Sequence, residues 1–315
     1  MYTISVIIII LILIGLVMMW KSDYPAVGIL VLTNFAVFFV QFLEFFIDSS
    51  NGDYILDLGF KSESLVTGEQ PWTIVTNLFV HSGFLHIMGN MLFLTLLGMP
   101  FEDRVGKKKF ALIYFAGGIG ANILNGIAVI QLNGSGSWEA EVIGIGASAA
   151  IFGIMGAFAI LYPKDEIPMF LVFFFVSRVP VYIVAMLYGL IETAMVEMAP
   201  DDNVGHLAHI SGFILGVFIG PLVANREARL VQRTDYSELK DLLKAEKNRG
   251  LTMAIDNLIS TDISEVREVW WEDLLIKVRC PSCDSGSGPD GIGPGGHGLL
   301  CNTCGYSLDL RKKKK

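Results

Sequence analysis

Long apolar stretches alternate with short polar segments over the first 223 residues of the chain. An α-helix rises about 1.5 Å per residue, so about 20 apolar residues cross the hydrocarbon core of a bilayer. The pattern therefore predicts membrane-spanning helices, at residues 2–20, 24–47, 83–101, 109–131, 144–162, 180–198 and 205–223.

Arg178 decides where the sixth predicted span begins. A charged side chain near the centre of a bilayer is costly, so this arginine is not expected inside a span. Starting the span at Pro180 places Arg178 at an interface. Residues 167–176 then become a membrane-surface or re-entrant segment.

Composition separates the chain into two parts. Over its 315 residues it is 53% hydrophobic and 17% charged, whereas soluble proteins are about 25% charged. Residues 224–315, by contrast, have the polar composition of a soluble protein. We therefore expect a membrane part that ends near Ala224 and an aqueous tail.

Basic residues in the short loops indicate the side of the membrane on which the tail lies. One set of loops contains seven of them, and the opposite set contains Lys61 alone. Loops rich in lysine and arginine remain in the cytoplasm. We therefore expect a multi-pass protein of the cell membrane with its N-terminus outside and its C-terminal tail in the cytoplasm. The seven residues are Lys21, Arg104, Lys107, Lys108, Lys109, Lys164 and Arg178.

Polar groups inside a membrane span are costly and usually functional, and five of those in the predicted spans converge. His86 and Asn90 are four residues apart and share one helix face. If Ser82, Glu141 and Asn203 mark the outer edges of the three spans, Ser148 lies roughly 10 Å and His209 roughly 9 Å below the outer surface. His206 lies one turn before His209. The polar groups of three helices are therefore predicted to meet at one depth.

Small residues predict that the fifth and seventh spans pack closely. Small side chains at helical spacing let two helix backbones approach within a membrane. Such a contact would bring a serine and an imidazole within hydrogen-bond reach. The small residues are Gly146, Ala149, Gly153 and Gly156 in the fifth span and Gly212, Gly216 and Gly220 in the seventh.

Ser148 and His209 together predict nucleophilic catalysis. A serine hydroxyl becomes a good nucleophile when a base takes its proton, and His209 is the natural base. Attack on a peptide carbonyl forms an oxyanion, for which His86, Asn90 and the backbone N–H of Ser148 are suitable donors. No acidic residue is evidently placed to orient His209, so we interpret the pair as a dyad. This chemistry requires no cofactor.

Three other interpretations of these residues remain open. A serine in a membrane helix often bonds the backbone of its own helix. His206 and His209 could form a metal pair, although no carboxylate or thiolate ligand is evident near them. A transporter with a polar midplane site is the third interpretation. Against it, the polar groups lie in the outer leaflet and no inverted repeat is visible.

Four short motifs resemble those of the rhomboid family of intramembrane serine proteases. HIMGN (86–90) resembles H-x-x-x-N, GASA (146–149) resembles G-x-S-G, AHISGFILG (208–216) resembles A-H-x-x-G-x-x-x-G, and GMPFEDRVG (98–106) resembles G-x-x-x-E-x-x-x-G. The resemblance implies Ser148 as nucleophile and His209 as general base. It implies His86 and Asn90 as oxyanion donors.

Other positions follow or depart from the family pattern. The resemblance implies that Phe152 packs on the catalytic imidazole and that Glu102 is a structural hydrogen-bonding residue. Ala149 replaces the second glycine of the serine motif, and Thr73 follows Trp72 where the family often has arginine.

The activity that the resemblance implies is that of a serine endopeptidase that cleaves transmembrane segments of single-pass membrane proteins within the lipid bilayer. The alternative is a catalytically silent rhomboid-like protein that binds membrane proteins. Such relatives typically lack the serine or the histidine, and both Ser148 and His209 are present. Ala149 is the one feature that favours the alternative.

Two C-x-x-C pairs in the tail predict a structural zinc site. Cys280, Cys283, Cys301 and Cys304 have the spacing of two knuckles joined by a glycine-rich hairpin. Two disulfides or free thiols are the alternatives, and a reducing cytoplasm disfavours the disulfides. His297 could compete as a ligand, although we do not expect it to. A cytoplasmic protein partner is compatible with such a module, whereas nucleic-acid binding is not expected because aromatic and basic residues do not interleave.

These expectations combine into an all-α polytopic membrane protein with a small cytoplasmic zinc ribbon. The predicted parts are an extra N-terminal transmembrane helix at 1–23, a rhomboid-like six-helix core at 24–223, a charged cytoplasmic helical linker at 224–279, and a zinc-ribbon-like module with a basic tail at 280–315.

Overall fold

The chain folds into two compact units, Met1–Ala224 and Asn225–Lys315. The computed structural model describes residues 3–47, 53–171, 174–198, 205–223, 239, 248–260, 264–287, 292–295 and 298–309.

Helices make up most of the first unit. Among its described residues, five helices are long and apolar enough to cross a membrane, namely α1, α2, α6, α7 and α11, while α9 and α10 are shorter apolar helices. The helices are α1 (Thr3–Lys21), α2 (Ala26–Ile47), α3 (Asp53–Leu58), α4 (Ser64–Thr67), α5 (Thr73–Thr76), α6 (Phe84–Val105), α7 (Lys107–Asn133), α8 (Trp138–Glu141), α9 (Ser148–Leu161), α10 (Val181–Met198) and α11 (His206–Val223). A 3-10 turn at Asn77–Phe79 precedes α6.

The helix within the predicted span 144–162 starts later than the apolar pattern indicates. Strand β1 (Phe60–Lys61) pairs antiparallel with β2 (Ile143–Gly144), so residues just before the serine are extended and not helical. Gly146 then has φ +113°, a conformation that residues with a side chain rarely adopt. Helix α9 therefore begins at Ser148 itself, and the serine lies at a helix end instead of about one turn inside the predicted span.

The segment predicted to lie on the membrane surface or to re-enter it forms a β-hairpin. Strand β3 (Glu166–Leu171) pairs antiparallel with β4 (Phe174–Pro180). Pairing satisfies backbone groups that would be costly if left free near lipid. Arg178 forms an ion pair with Glu166 at 3.4 Å, so the charged residue that placed the start of the next helix has a partner in the hairpin.

Glycines allow α9 and α11 to pack with their backbones in contact, as the repeats predict. A Cβ atom added at Gly212 would collide with the carbonyl oxygen of Ala149, and one at Gly216 would collide with that of Gly153. On the other side of α9, a Cβ at Gly153 would lie 3.1 Å from Cα of Gly117 on α7. This close contact fixes the position of α11 relative to the start of α9.

Glu102 fastens α2 to the end of α6. Its two carboxylate oxygens accept hydrogen bonds from the backbone N–H groups of Ala26 at 2.6 Å and Val27 at 2.8 Å. The first N–H groups of a helix have no partner inside it, and an anion there is stabilised by the helix dipole. Glu102 thus has the structural hydrogen-bonding role that the motif resemblance implies.

The second unit has a core of its own. Its described elements are α12 (Arg249–Ser260), α13 (Ser264–Lys277) and a three-stranded antiparallel sheet of β5 (Ile292–Gly295), β6 (Gly298–Cys301) and β7 (Ser307–Asp309) in that order. Apolar residues of α12 and α13 pack in one cluster with Ile292, Leu299 and the thiols of Cys280 and Cys301. The helices and the cysteine-bearing ribbon therefore stabilise each other.

Candidate active site

Ser148 and His209 lie within hydrogen-bond distance, as the sequence predicts. The Oγ atom of Ser148 is 2.6 Å from Nε2 of His209. Ser148 is half-buried and His209 is buried. A short contact between a hydroxyl and an imidazole nitrogen is the geometry in which a base takes the proton of a nucleophile.

The loop before Ser148 is held by backbone and amide hydrogen bonds. Gly146 N–H donates to the carbonyl oxygen of Asn77 at 2.8 Å. Asn77 is itself paired with Asn122 on α7 through two amide hydrogen bonds of 3.2 and 3.1 Å, and the Asn122 amide also donates to Ile74. These bonds fix the direction in which α9 starts and so orient the Ser148 hydroxyl.

His86 and Asn90 converge on the space beside Gly146. A Cβ atom added to Gly146 would lie 2.6 Å from Nε2 of His86 and 3.3 Å from Nδ2 of Asn90. Among the described residues, the buried Asn90 Nδ2 has no hydrogen-bond partner. Two side-chain nitrogens thus face one small space, two residues before the serine.

The neighbours of His86 determine which of its nitrogens is a donor. The backbone N–H of Ser82 lies 3.4 Å from Nδ1 of His86, and the Ser82 hydroxyl lies 3.0 Å from the same atom. Because a backbone N–H can only donate, Nδ1 is the acceptor and the proton of the neutral ring is on Nε2. His86 therefore directs an N–H group toward Gly146.

A second imidazole lies against His86. The ring of His81 meets that of His86 edge-on, with centroids 5.0 Å apart. Burial and the neighbouring His86 lower the pKa of His81 to about 3, so this ring is neutral. A neutral ring places no positive charge beside His86.

The first turn of α9 supplies further donors. The first backbone bond of this helix runs from Ile151 N–H to Ala147 O. The N–H groups of Ser148, Ala149 and Ala150 therefore lie outside the helix's own bonds. They point out of the N-terminal end of α9, together with the positive end of the helix dipole.

Phe152 packs on the imidazole of His209. The two rings are stacked with centroids 4.7 Å apart and an angle of 6° between their planes. Phe152 lies one helical turn after Ser148, so a single helix presents both the hydroxyl and the surface against which the imidazole rests. This contact is the one that the motif resemblance implies.

Glu192, which lies on α10, is a member of the site that was not predicted from the sequence. Its Oε2 atom is 3.0 Å from Nδ1 of His209 and 2.6 Å from Nδ1 of His206. The expectation that no acidic residue is placed to orient His209 is therefore wrong. It is also wrong that His206 and His209 have no carboxylate nearby, since these three residues form a compact cluster. The sequence does contain a signal for this residue, because a glutamate within an apolar span rarely lacks a partner.

The four cysteines of the tail are brought together. Their Sγ atoms lie within 4.8 Å of one another, with Cys280 3.5 Å from Cys304 and Cys283 3.6 Å from Cys301. A hydrogen bond from Ser285 lowers the pKa of the Cys301 thiol to about 5 and also lowers that of Cys283. Four thiols gathered at one point could hold a metal ion.

Comparison with known proteins agrees with the motifs. The Rhomboid domain matches residues 68–226. The chain is 30% identical over 196 residues to Rhomboid protease AarA of Providencia stuartii, covering 60% of this chain and 69% of that protein. It is 26% identical over 164 residues to the putative rhomboid protease YdcA of Bacillus subtilis (strain 168), covering 52% of this chain and 73% of that protein.

Plant proteins are also similar. RHOMBOID-like protein 5 of Arabidopsis thaliana is 26% identical over 163 residues, which cover 52% of this chain and 47% of the plant protein. The chain thus spans about half the length of this relative. The matched region contains Ser148, His209, His86 and Asn90, together with the helices that hold them. The chain is a multi-pass membrane protein and belongs to the rhomboid family.

Proposed function

We propose that this chain is an intramembrane serine endopeptidase that cleaves transmembrane segments of membrane proteins. The observation that carries the proposal is the 2.6 Å contact between Ser148 Oγ and His209 Nε2, formed beside donors that face the space over Gly146. A serine that served only in helix packing would need neither a neighbouring base nor hydrogen-bond donors that face the adjacent space.

The proposed reaction follows from this geometry. Ser148 Oγ attacks the carbonyl carbon of the scissile peptide while His209 Nε2 takes the hydroxyl proton. The negative oxygen of the tetrahedral intermediate is stabilised by the Nε2–H of His86, the Nδ2–H of Asn90 and the first N–H groups of α9. His209 then donates its proton to the leaving amine, and a water molecule hydrolyses the acyl-enzyme by the same steps in reverse.

Single-pass membrane proteins are the proposed substrates. Rhomboid proteases act on transmembrane segments within the bilayer, and two relatives of this chain are named as proteases. In a helix, backbone hydrogen bonds shield each peptide carbonyl. We therefore expect cleavage where small or helix-weakening residues let the substrate backbone extend into the site.

Labelling with a serine-reactive fluorophosphonate tests the proposal, in parallel with cleavage of a single-pass substrate in proteoliposomes. Wild-type protein is expected to label and to cleave, whereas Ser148→Ala and His209→Ala are expected to do neither. Thr95→Val is the matched control, because this hydroxyl on α6 bonds to its own helix at Met91 O. Cleavage that persists in folded Ser148→Ala would overturn the proposal. If folded wild-type protein does not label and captures a substrate without cleaving it, the result would favour the silent binding protein.

The proposed orientation has the N-terminus outside and the second unit in the cytoplasm of a cell-membrane protein. Its support is the distribution of basic loop residues, seven on one side against Lys61 on the other. The proposed site then lies toward the outer surface, at the N-terminal ends of α6, α9 and α11. Protease protection of the tail in sealed right-side-out vesicles is the expected result.

A structural Zn²⁺ is the proposed occupant of the cysteine cluster. Cys280, Cys283, Cys301 and Cys304 would hold it as a four-thiolate site, which is the usual ligand set of structural zinc. Two knuckles joined by β5 and β6 form a zinc-ribbon-like module, with a cytoplasmic protein as its proposed partner. The metal would contribute folding energy to the second unit and no step to peptide cleavage.

A further inference from the structure

Glu192 is a buried carboxylate in a largely apolar helix. It is 8% exposed and adjoins a cavity of about 500 Å³ whose walls are mostly apolar, including Phe152, Met186 and Phe213. An ionisable group in such a place is costly unless it is paired. The two imidazoles on α11 are its partners. Hydrogen bonds to them offset the free-energy cost of burying the carboxylate, and one of the two imidazoles is the proposed base.

Donor and acceptor rules determine the proton positions in this cluster. An ionised carboxylate can only accept, so the Nδ1 atoms of His206 and His209 must both donate to Oε2 of Glu192. With its proton on Nδ1, neutral His209 presents a bare Nε2 to the Ser148 hydroxyl, 2.6 Å away. That form is the one a general base requires.

His206 fixes the carboxylate in place. Its 2.6 Å contact with Glu192 is shorter than that of His209, and its ring is perpendicular to the ring of His209 at 89°. Because the two histidines are three residues apart at the start of α11, one helical turn presents both Nδ1 atoms to α10. The carboxylate oxygen is thereby held against His209 from a second direction.

We propose that Glu192, anchored by His206, is a positioning residue for His209 and makes the catalytic group a Ser148–His209–Glu192 triad. This inference rests on the proposed protease function. The carboxylate selects the Nδ1–H form of His209 in the resting enzyme and stabilises the imidazolium that forms when the serine proton is transferred. In an apolar surrounding, the attraction between the two charges is stronger than in water.

The distances distinguish this arrangement from a metal site built from the same three residues. Ligand atoms bonded to one tetrahedral Zn²⁺ at about 2.0–2.1 Å lie roughly 3.3 Å apart. The contact between His206 Nδ1 and Glu192 Oε2 is 2.6 Å, which is a hydrogen bond to a charged acceptor. Zinc content is therefore expected to be the same in wild-type protein and in Glu192→Gln.

Cleavage kinetics of Glu192→Gln test the inference. The amide keeps the size of the side chain but removes its charge, so kcat is expected to fall about 10²- to 10⁴-fold, with KM changed by less than about twofold. Glu192→Asp keeps the charge and is expected to recover at least about a tenth of wild-type kcat. Thr193→Val, the next residue on α10, is the matched control. Its hydroxyl bonds to Gly189 of its own helix, so its kcat should remain at the wild-type value.

A spectroscopic readout separates positioning from folding and from the protease proposal. The ¹⁵N chemical shifts of the His209 ring report which nitrogen is protonated, without any substrate. The Nδ1–H form is expected in wild type and a mixture of forms in Glu192→Gln.

Normal kcat in folded Glu192→Gln, or loss of one zinc per chain in that variant, would overturn the triad while leaving the protease proposal intact. A folded wild type that neither labels nor cleaves would instead reject the protease, and the ring shifts would still test the positioning. If Glu192→Gln does not fold, the kinetics and ring shifts of Glu192→Asp and His206→Asn decide.

Discussion

At the scale of single residues, the missing side chain of Gly146 leaves room for a reacting carbonyl. The residue has φ +113°, and the two nitrogens that face it are those proposed to bind the oxyanion. Any side chain here would occupy the position of the substrate oxygen. The glycine is therefore needed twice, once for the backbone conformation and once for the empty space.

Gly146→Ala is expected to abolish most activity while the helices remain folded. The added methyl group would lie 2.6 Å from His86 Nε2, so the donor must move away from the oxyanion. Displacing one such donor typically lowers kcat about 10²- to 10³-fold. Cleavage rates of purified protein check this, with Gly89→Ala as control, since its Cβ would meet no described atom within 4 Å. Equal cleavage rates for Gly146→Ala and Gly89→Ala would contradict the proposal that the substrate oxygen occupies the space beside Gly146.

Glu192 shows why the sequence predicts only part of the site. The positions of Ser148 and His209 follow from motifs and helix spacing, because each residue type has few roles in a membrane. Glu192 lies 17 residues before His209, on another helix, and no spacing rule specifies which face of α10 is turned toward α11. Contacts that depend on the relative rotation of two helices are not encoded in a local pattern.

At the scale of elements, the α9–α11 contact sets the distance between nucleophile and base. Ser148 and His209 belong to these two helices, and the backbones touch at Gly153, Gly212 and Gly216. One added methyl group at this contact would change the distance between the helices by about as much as the range of donor–acceptor distances over which a hydrogen bond forms. Packing between the helices and catalysis are thus linked.

Gly216→Ala is expected to lower both stability and activity. Its methyl group would collide with the carbonyl oxygen of Gly153, and overpacking of this kind costs about 1–3 kcal/mol. Thermal unfolding in detergent should therefore occur at a lower temperature, and fluorophosphonate labelling of Ser148 should slow. Gly189→Ala on α10, where a Cβ would meet no described atom within 4 Å, should match wild type. Unchanged unfolding of Gly216→Ala would show that the helices can separate freely.

Element boundaries were predicted less well than element existence. Apolar length locates the helices, but the start of α9 depends on the pairing of residues 143–144 with residues 60–61, a contact between positions more than 80 residues apart. The β3–β4 hairpin likewise has an apolar composition that does not distinguish it from a membrane segment. Strand pairing, and not apolar composition, decided both cases.

At the scale of the whole molecule, the proposed catalytic and metal-binding residues belong to different compact units. Ser148, His209 and Glu192 lie in Met1–Ala224, while the four cysteines lie in Asn225–Lys315. Each unit has its own cluster of buried apolar residues. Loss of the metal is therefore expected to affect the second unit first.

Cys280→Ser with Cys301→Ser is expected to remove the metal without stopping cleavage. These two cysteines are buried in the core of the second unit, so zinc per chain should fall from one to zero and the tail should become sensitive to proteolysis. Metal analysis and limited proteolysis check the two effects. Cleavage by the first unit should remain within about twofold of wild type, and zinc retained by this variant would contradict the four-thiolate site.

Because α9 begins at Ser148, part of the proposed oxyanion stabilisation would come from peptide groups that no substitution can delete. A variant lacking both His86 and Asn90 side chains is therefore expected to retain slow turnover above the uncatalysed rate, measurable over days of incubation. Ser148→Ala should show none. Loss of the two polar side chains would thus lower the proposed activity gradually, while complete loss would require removal of Ser148 or His209. Whether a related chain keeps the proposed activity is therefore better judged from those two positions than from the donors around them.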